Sequence, residues 1–111
     1  MYITTYDATG VPGTVPVWFV YEQGKVFIST GPGTLKAKKI RANPRVRLAL
    51  GARDGPAFDG TARFTSDRAT CDMAARGLSE KYQGYWGDPT RLARSIAQGR
   101  ERVLLEITPE A

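Results

Sequence analysis

The segment Val26–Ala49 (VFISTGPGTLKAKKIRANPRVRLA) constrains the fold most, because it predicts a strand, a tight turn, a short helix and another strand in close succession. The apolar strand breaks at Gly31-Pro32-Gly33, since proline fixes φ and glycine permits turn conformations. Thr34 can then cap a helix that begins at Leu35 and ends before Asn43-Pro44. The end of the strand and the start of the helix are therefore expected to lie at one point.

Groups suited to binding an anion converge at this point. Ser29 and Thr30 end the strand with two hydroxyls, and Lys36 lies in the first turn of the helix. The first N–H groups of a helix have no internal acceptor, and the macrodipole makes that end positive. Ser29, Thr30, Thr34 and Lys36 together predict a phosphate site. The alternative is a plain hairpin end followed by a capped, charged helix.

Apolar alternation predicts six strands along the chain. They cover Tyr2–Tyr6, Thr14–Tyr21, Val26–Thr30, Arg45–Leu50, Gly60–Thr65 and Arg102–Thr108. The stretch Thr14–Tyr21 is apolar on both faces, which predicts a sheet centre or a barrel wall, with an edge or bulge near Pro16. Short connections favour antiparallel pairing, so the pattern predicts a mainly β fold, a six-stranded antiparallel barrel with peripheral helices.

Two further helices are predicted in the second half of the chain. Ser66 and Asp67 offer N-caps for an amphipathic helix with an apolar stripe made of Cys71, Ala75, Leu78 and Tyr82. Asp88-Pro89 predicts the start of another helix, which ends at Gln98-Gly99. In the aromatic segment between them, Tyr85 and Trp86 either shape a substrate face or pack in the core, whereas Tyr82 is expected in the core.

Composition excludes several kinds of site. The 111 residues suit one domain, and they include no histidine and one cysteine, Cys71. An internal disulfide, His-ligated zinc or haem, and Ser–His or Cys–His dyads are therefore excluded in this sequence. The net charge of +5 fits anionic partners, but no nucleic-acid-binding motif accompanies it. Because no apolar run approaches ~20 residues and no signal-peptide pattern is present, we expect a cytoplasmic protein without membrane association.

The segments TVPVWFV, VFISTGPGTLKAKKIRANPRVRLAL and GTARF resemble the flavin-binding split β-barrel family that includes the pyridoxamine 5'-phosphate oxidases. The pattern VWFV…T…K-x-K-x-I-R-x-N-P-R-V is more similar to the actinobacterial branch that uses the deazaflavin coenzyme F420. The resemblance runs from about Thr5 to Thr65, with a weaker similarity in LSEKYQG and RVLLEITPE. It implies a split barrel that forms a homodimer, with the cofactor at the subunit interface. Members of the family usually carry a helix before the first strand, whereas here Tyr2 directly follows Met1; either that helix is absent or the start of the protein lies outside this sequence.

The resemblance also implies which residues bind the cofactor. The stretch up to Phe19 would lie along the tricyclic ring, mainly through the backbone groups of Val15, Pro16, Val17 and Trp18. Ser29 and Thr30 would hold the phosphate or the ribityl chain, and Lys36 matches the phosphate-binding lysine of the family.

Two further comparisons with the family concern charge. Leu35 stands where the oxidase branch usually has an arginine, so one charged contact to the phosphate of FMN is expected to be missing. The anionic polyglutamate tail of F420 could be bound by four basic residues: Lys38, Lys39, Arg41 and Arg45. Of these, Lys39 and Arg41 are included in the predicted site.

The activity implied by the resemblance is hydride transfer between F420 and a small unsaturated organic substrate. A deazaflavin moves the hydride through its own ring carbon, so the protein positions and shields, and no catalytic residue is assigned. The alternatives are an FMN-dependent oxidase or flavin reductase, and a protein that binds or carries F420 without turnover. Trp18 is interpreted as a core or dimer contact rather than as part of the substrate face.

Overall fold

The structure is a computed structural model that describes residues 1–82, 89–99 and 102–110. In chain order the elements are β1 (Tyr2–Tyr6), β2 (Pro12–Pro16), β3 (Val20–Glu22), β4 (Lys25–Thr30), α1 (Leu35–Ala42), β5 (Arg45–Ala49), β6 (Ala57–Thr65), α2 (Arg68–Lys81), α3 (Pro89–Gln98) and β7 (Val103–Pro109). Every strand pair is antiparallel, and the strands form one sheet in the order β2-β1-β5-β6-β7-β4-β3. The predicted mainly β, antiparallel barrel fold with peripheral helices is confirmed, and the sheet forms a curled half-barrel.

The single strand predicted over Thr14–Tyr21 is divided in the structure between β2 and β3, which raises the number of strands in the described residues from six to seven, and the edge expected near Pro16 is confirmed. Proline has no N–H for a ladder, and β2 ends at Pro16. The chain then leaves this edge, and β3 pairs with β4 at the opposite edge of the sheet. Both pieces are edge strands, so the expected place in a sheet centre is not found.

The helix predictions are confirmed where the structure describes them. Helix α1 begins at Leu35, and its cap Thr34 accepts a hydrogen bond from the N–H of Ala37 at 3.2 Å. Asp67 caps α2 by accepting from the N–H of Thr70, and Pro89 is the first residue of α3. The predictions for Tyr85, Trp86 and Asp88 fall outside the described residues.

Two hydrophobic clusters cover opposite faces of the sheet and fix β4 and β7 between them. On β7, Leu104 belongs to the cluster that includes residues of α2 and α3, whereas Leu105 and Ile107 belong to the cluster that includes Ile40 of α1. Strand β4 alternates in the same way, with Phe27 in the first cluster and Ile28 in the second. Burial on both faces holds the neighbouring ends of β4 and β7 in place. Among residues 1–82, 89–99 and 102–110, no helix is long and apolar enough to cross a bilayer.

Candidate anion-binding cavity

A cavity of about 370 Å³ lies where β4 ends, and three other parts of the chain contribute to it. They are the connection between β2 and β3, the first turn of α1 and the residue before β7. The lining residues are Pro16, Val17, Trp18, Ser29, Thr30, Lys36 and Arg102. The volume is in the range of small-molecule sites, and the lining combines apolar groups with two cations and two hydroxyls.

A second cavity, between β3 and α2, is slightly larger at about 450 Å³. Its charged lining residues are Glu22, Glu80 and Lys81, so carboxylates outnumber cations there. Volume alone would rank it first, but its charge does not favour an anion. The cavity at the end of β4 is therefore the better candidate for phosphate.

The strand end and the helix start are joined through threonine hydroxyls. Thr30 is buried, and its Oγ1 lies 3.3 Å from Oγ1 of Thr34. Thr34 also donates to the carbonyl of Gly31 at 3.0 Å, in addition to capping α1. Thr34 does not line the cavity, and its hydroxyl is hydrogen-bonded to Gly31 and Ala37. Its contribution to the site is to join the end of β4 to the start of α1.

Lys36 is half-buried in the cavity, which is an unfavourable place for a cation without a counter-charge. Burial lowers the pKa of Lys36 from its usual value of 10.5, and the positive charge of Arg102 lowers it further. None of the ion pairs formed within residues 1–82, 89–99 and 102–110 involves Lys36. An anion in the cavity would compensate both cations, so the electrostatics favour binding of a negatively charged ligand.

Arg102 lines the cavity, and the sequence analysis did not include it in the predicted site. The β4–β7 register places Val103 opposite Thr30, which brings the preceding Arg102 beside the strand end. Its guanidinium donates to Ser29 twice, from Nε to Oγ at 3.1 Å and from Nη2 to the carbonyl oxygen at 2.9 Å. The cavity thus has a second cation, although Leu35 replaces the expected arginine and is 68% exposed. The only local signal was a basic residue directly before the last strand.

Besides Thr34, three further predicted site residues do not line this cavity. The ammonium of Lys39 lies over Gly13 in β2, where an added Cβ would be only 2.6 Å from Nζ. Arg41 donates to the carbonyl of Pro32 at 2.9 Å and stacks over the ring of Phe64. Val15 lies on edge strand β2 and is exposed.

The connection that carries Val17 and Trp18 is fixed by the C-terminal end of α2. The ring of Trp18 stacks on that of Tyr82, with centroids 4.4 Å apart and planes at 5°. The N–H of Phe19 donates to the hydroxyl of Tyr82 at 3.2 Å, and Nζ of Lys81 donates to the carbonyl of Phe19 at 3.1 Å. Trp18 is not a core residue, because it is 50% exposed and is one of the residues that line the cavity, whereas its predicted role as a dimer contact stays a prediction.

Metal and thiol chemistry find no support at this site. Within the described ranges, no group of three or more His, Cys, Asp or Glu side chains could hold a metal ion. Cys71 is buried in α2, and burial raises the pKa of its thiol. The cavity therefore offers binding and positioning, by cations, hydroxyls and an aromatic ring.

Comparison with known proteins gives one family match and several similar structures. The family model for pyridoxamine 5'-phosphate oxidase matches residues 1–111. A conserved hypothetical protein from Mycobacterium tuberculosis superposes with a TM-score of 0.76 at 22% identity, over 99% of this chain and 72% of the other. For an F420 reductase the TM-score is 0.71 at 21% identity, over 99% of this chain and 85% of the other.

The same fold also occurs in a protein that is described as a storage protein and not as a reductase. The haem storage protein HutZ from Vibrio cholerae superposes with a TM-score of 0.73 at 18% identity, over 99% of this chain and 80% of the other. No curated protein sequence matches the chain. At these identities the similar structures show the shared fold alone.

Proposed function

Because the chain belongs to the pyridoxamine 5'-phosphate oxidase family, we propose that it is an oxidoreductase that uses the deazaflavin coenzyme F420. The observation that carries the proposal is Lys36, half-buried in a cavity beside two hydroxyl side chains and a second cation. A phosphate group would accept charge-assisted hydrogen bonds there from Lys36 and Ser29, whereas the hydroxyl proton of Thr30 is directed to Thr34, whose own proton goes to the carbonyl of Gly31. The similarity to an F420 reductase fold and the K-x-K-x-I-R-x-N-P-R-V pattern support F420 as the cofactor.

The tricyclic ring would lie along the segment between β2 and β3. Pro16 has no N–H, the N–H of Val17 donates to the carbonyl of Met1 at 2.8 Å, and that of Phe19 donates to Tyr82. These groups are already used within the chain, so we expect the ring to be held mainly by carbonyl oxygens and by side chains. Bound F420 supplies a ring carbon that gives or accepts a hydride, and the residues of the cavity orient it and exclude water.

The proposed active form is a homodimer with the cofactor near the subunit interface. Three exposed apolar residues are part of the cavity lining or adjacent in sequence to lining residues: Val15, Trp18 and Leu35. A second copy of the chain would remove this apolar surface from water. The cytoplasmic location remains a prediction.

FMN is the second candidate cofactor, and Arg102 is the observation that favours it. A phosphomonoester carries up to two negative charges, and Lys36 with Arg102 provides two positive charges in one cavity. The missing arginine at Leu35 therefore weighs less against FMN than the sequence alone indicated.

A ligand panel on the purified protein tests the proposal. We expect F420 fluorescence polarisation to show saturable binding at micromolar concentration, and FMN to compete at least tenfold more weakly. Tighter binding of FMN than of F420 would replace the first candidate by the second, and binding of neither would contradict both.

Turnover is tested separately with chemically reduced F420 and a panel of enones and quinones. Oxidation of F420 that depends on protein and substrate would support an enzyme. Tight binding with no oxidation across the panel would instead support a carrier of the cofactor.

A further inference from the structure

We propose that the protein has a second ligand site, at the start of β5, where a small oxyanion of the carboxylate or phosphate class binds to Arg45. The site is a cavity of about 420 Å³. It is lined by Tyr6, Gly10, Asn43, Arg45, Arg47 and Asp59, and none of these six residues lines the cavity that contains Lys36. The inference therefore goes beyond the proposed function and does not depend on it.

Strand β5 directs both arginines to one face of the sheet. Its burial alternates, because Val46 and Leu48 are buried in a hydrophobic cluster whereas Arg45 and Arg47 are exposed. Successive side chains of a strand point to opposite faces, so both arginine side chains lie on the face turned away from that cluster, which we call the outer face. The Cα atoms of the two arginines are about 7 Å apart along the strand.

The neighbouring strands add polar groups to the same outer face. Residues directly opposite each other in a ladder share a face, and Arg47 lies opposite Asp59 of β6 and Thr4 of β1. Nη1 of Arg47 accordingly lies 3.4 Å from Oδ1 of Asp59. Tyr6 follows Thr4 by two residues, so its side chain lies on the outer face as well, at the next position of the register beside Arg45.

The charges of this cavity leave Arg45 uncompensated. Arg47 and Asp59 form an ion pair with each other. In the part of the chain that the structure describes, Arg45 takes part in no ion pair. The carboxylate of Asp7, in the turn that contributes Gly10, already accepts three hydrogen bonds within that turn. An anion that enters the cavity can therefore bind Arg45 without displacing an existing partner.

The chemistry of the lining groups indicates the class of ligand. A guanidinium presents parallel N–H groups to two oxygens at once, a geometry that fits carboxylate and phosphate. Asn43 is fixed beside Arg45, because its Oδ1 accepts a hydrogen bond from the N–H of Arg45 at 3.2 Å, and its side-chain amide has two further N–H donors. The volume of the cavity is in the range of small-molecule sites, so a small carboxylic acid or phosphate ester is expected.

The two cavities lie at opposite ends of α1. Lys36, in the first turn, lines one cavity, and Asn43, the C-cap, lines the other. At 1.5 Å per residue α1 is about 12 Å long, so one phosphate group cannot occupy both sites. The C-terminal end of a helix by itself disfavours an anion, but this effect is confined to the last turn, where Lys39 and Arg41 supply positive charge.

An NMR titration of the ¹⁵N-labelled Lys36→Gln variant tests the proposal, because this variant weakens the other anion site. The probes are glutarate and inorganic phosphate, which represent the two possible sources of the oxyanion. We expect at least one probe to shift the backbone amide signals of Gly10, Asn43 and Arg45 saturably at millimolar concentration. The probe that binds more tightly then identifies carboxylate or phosphate as the group that the site recognises.

Substitutions of Arg45 in the same background test its role directly. Arg45→Gln should weaken binding of the preferred probe about tenfold, because it removes the charge and the paired N–H groups. Arg45→Lys keeps the charge but loses the paired geometry, so a loss of about threefold is expected. Arg94→Gln, at an exposed position of α3, is the control of equal charge change and should have no effect. Circular dichroism verifies that each variant is folded.

Three results would overturn the second site. The first is the absence of a saturable shift with either probe at tens of millimolar. The second is an equal loss of probe binding in Arg45→Gln and Arg94→Gln, which would show a general effect of charge. The third is a loss of F420 affinity in an Arg45→Gln variant that binds FMN as the parent does, which would assign the cavity to the acidic tail of the coenzyme.

The same measurements separate this inference from the proposed function. Saturable probe binding that depends on Arg45, in a protein that binds neither F420 nor FMN, would support the second site and contradict the proposed function. Binding of F420 that is independent of Arg45, with no probe bound at the start of β5, would have the opposite meaning.

Discussion

The guanidinium of Arg102 donates two hydrogen bonds to Ser29, at 3.1 and 2.9 Å, and thereby joins the start of β7 to the end of β4. These two residues are 73 positions apart in the chain. The contact fixes a second cation in the cavity lined by Lys36, and its charge helps to lower the pKa of that lysine. Two positive charges repel each other in this partly buried space, and a bound anion would compensate them. Binding of an anion is therefore expected to stabilise the folded protein.

Arg102→Gln is expected to weaken binding of phosphorylated ligands by about 10- to 150-fold, because it removes one charge-assisted contact of about 1.5–3 kcal/mol. Lumiflavin, which carries no phosphate, should bind as before. Calorimetric titration of FMN and F420 measures the effect, with Arg94→Gln on the exposed side of α3 as a control of equal charge change. Equal weakening by both variants would show a general charge effect and contradict a direct contact.

Lys36→Met is expected to stabilise the ligand-free protein at neutral pH. The pKa of Lys36 in the folded state is lowered from 10.5, first by burial and then by Arg102, so the unfolded chain keeps this proton to higher pH. Between the lowered value and 10.5 the unfolded state binds more protons, and the stability of the parent protein rises with pH. The unfavourable contribution of the charged lysine is thus complete below this window and disappears as pH rises through it.

Urea unfolding of the parent and of Lys36→Met between pH 7 and 10.5 measures this difference. The stability advantage of the variant should shrink as the pH approaches 10.5, whereas Lys38→Met, at an exposed position of the same helix, should show no such trend. If the stability advantage of Lys36→Met grew with pH, this would contradict a lowered pKa of Lys36 in the folded state.

Gly60→Ala should destabilise the fold by about 1–3 kcal/mol, although alanine loses less entropy on folding than glycine. An added Cβ at Gly60 would lie 2.9 Å from the carbonyl oxygen of Thr108 and 3.0 Å from Cγ2 of Ile107, so strand β7 would have to move. Gly33→Ala is the control, because a Cβ there meets no atom within 4 Å. Thermal unfolding of both variants measures the difference, and equal melting temperatures would contradict the close approach of β6 and β7.

Glu106→Gln should cost about 1–3 kcal/mol, since it removes the negative charge from a buried carboxylate hydrogen-bonded to Arg63. Nζ of Lys25 lies 3.6 Å from the same carboxylate, so the change leaves two cations without their shared partner. Asp59→Asn, in the exposed pair with Arg47, should cost less than about 1 kcal/mol. Chemical denaturation compares the two variants, and a larger loss in Asp59→Asn would contradict the assignment of burial.

Local signals in the sequence were sufficient for the strand–turn–helix segment. A proline, two glycines and a capping threonine act on their immediate neighbours, so the helix predicted to begin at Leu35 begins there. The same local chemistry placed Ser29, Thr30 and Lys36 near one another, and the structure brings all three into one cavity.

Long-range pairing could not be predicted in the same way. The apolar pattern of Thr14–Tyr21 does not distinguish a buried strand from two edge strands that flank a cavity, because exposed and buried apolar side chains look alike in a sequence. Arg102 could be placed only by knowing that β7 pairs with β4, and no residue near Arg102 carries that information.

The central claim is that Lys36 binds the phosphate of a redox cofactor, and titration of F420 into Lys36→Gln and Lys38→Gln tests it most directly. Both variants lose one charge from the same helix, but only Lys36 lines the cavity. The account predicts that Lys36→Gln binds F420 at least about tenfold more weakly than the parent protein, and that Lys38→Gln binds it equally well. Unchanged affinity in Lys36→Gln, or equal loss in both variants, would contradict it.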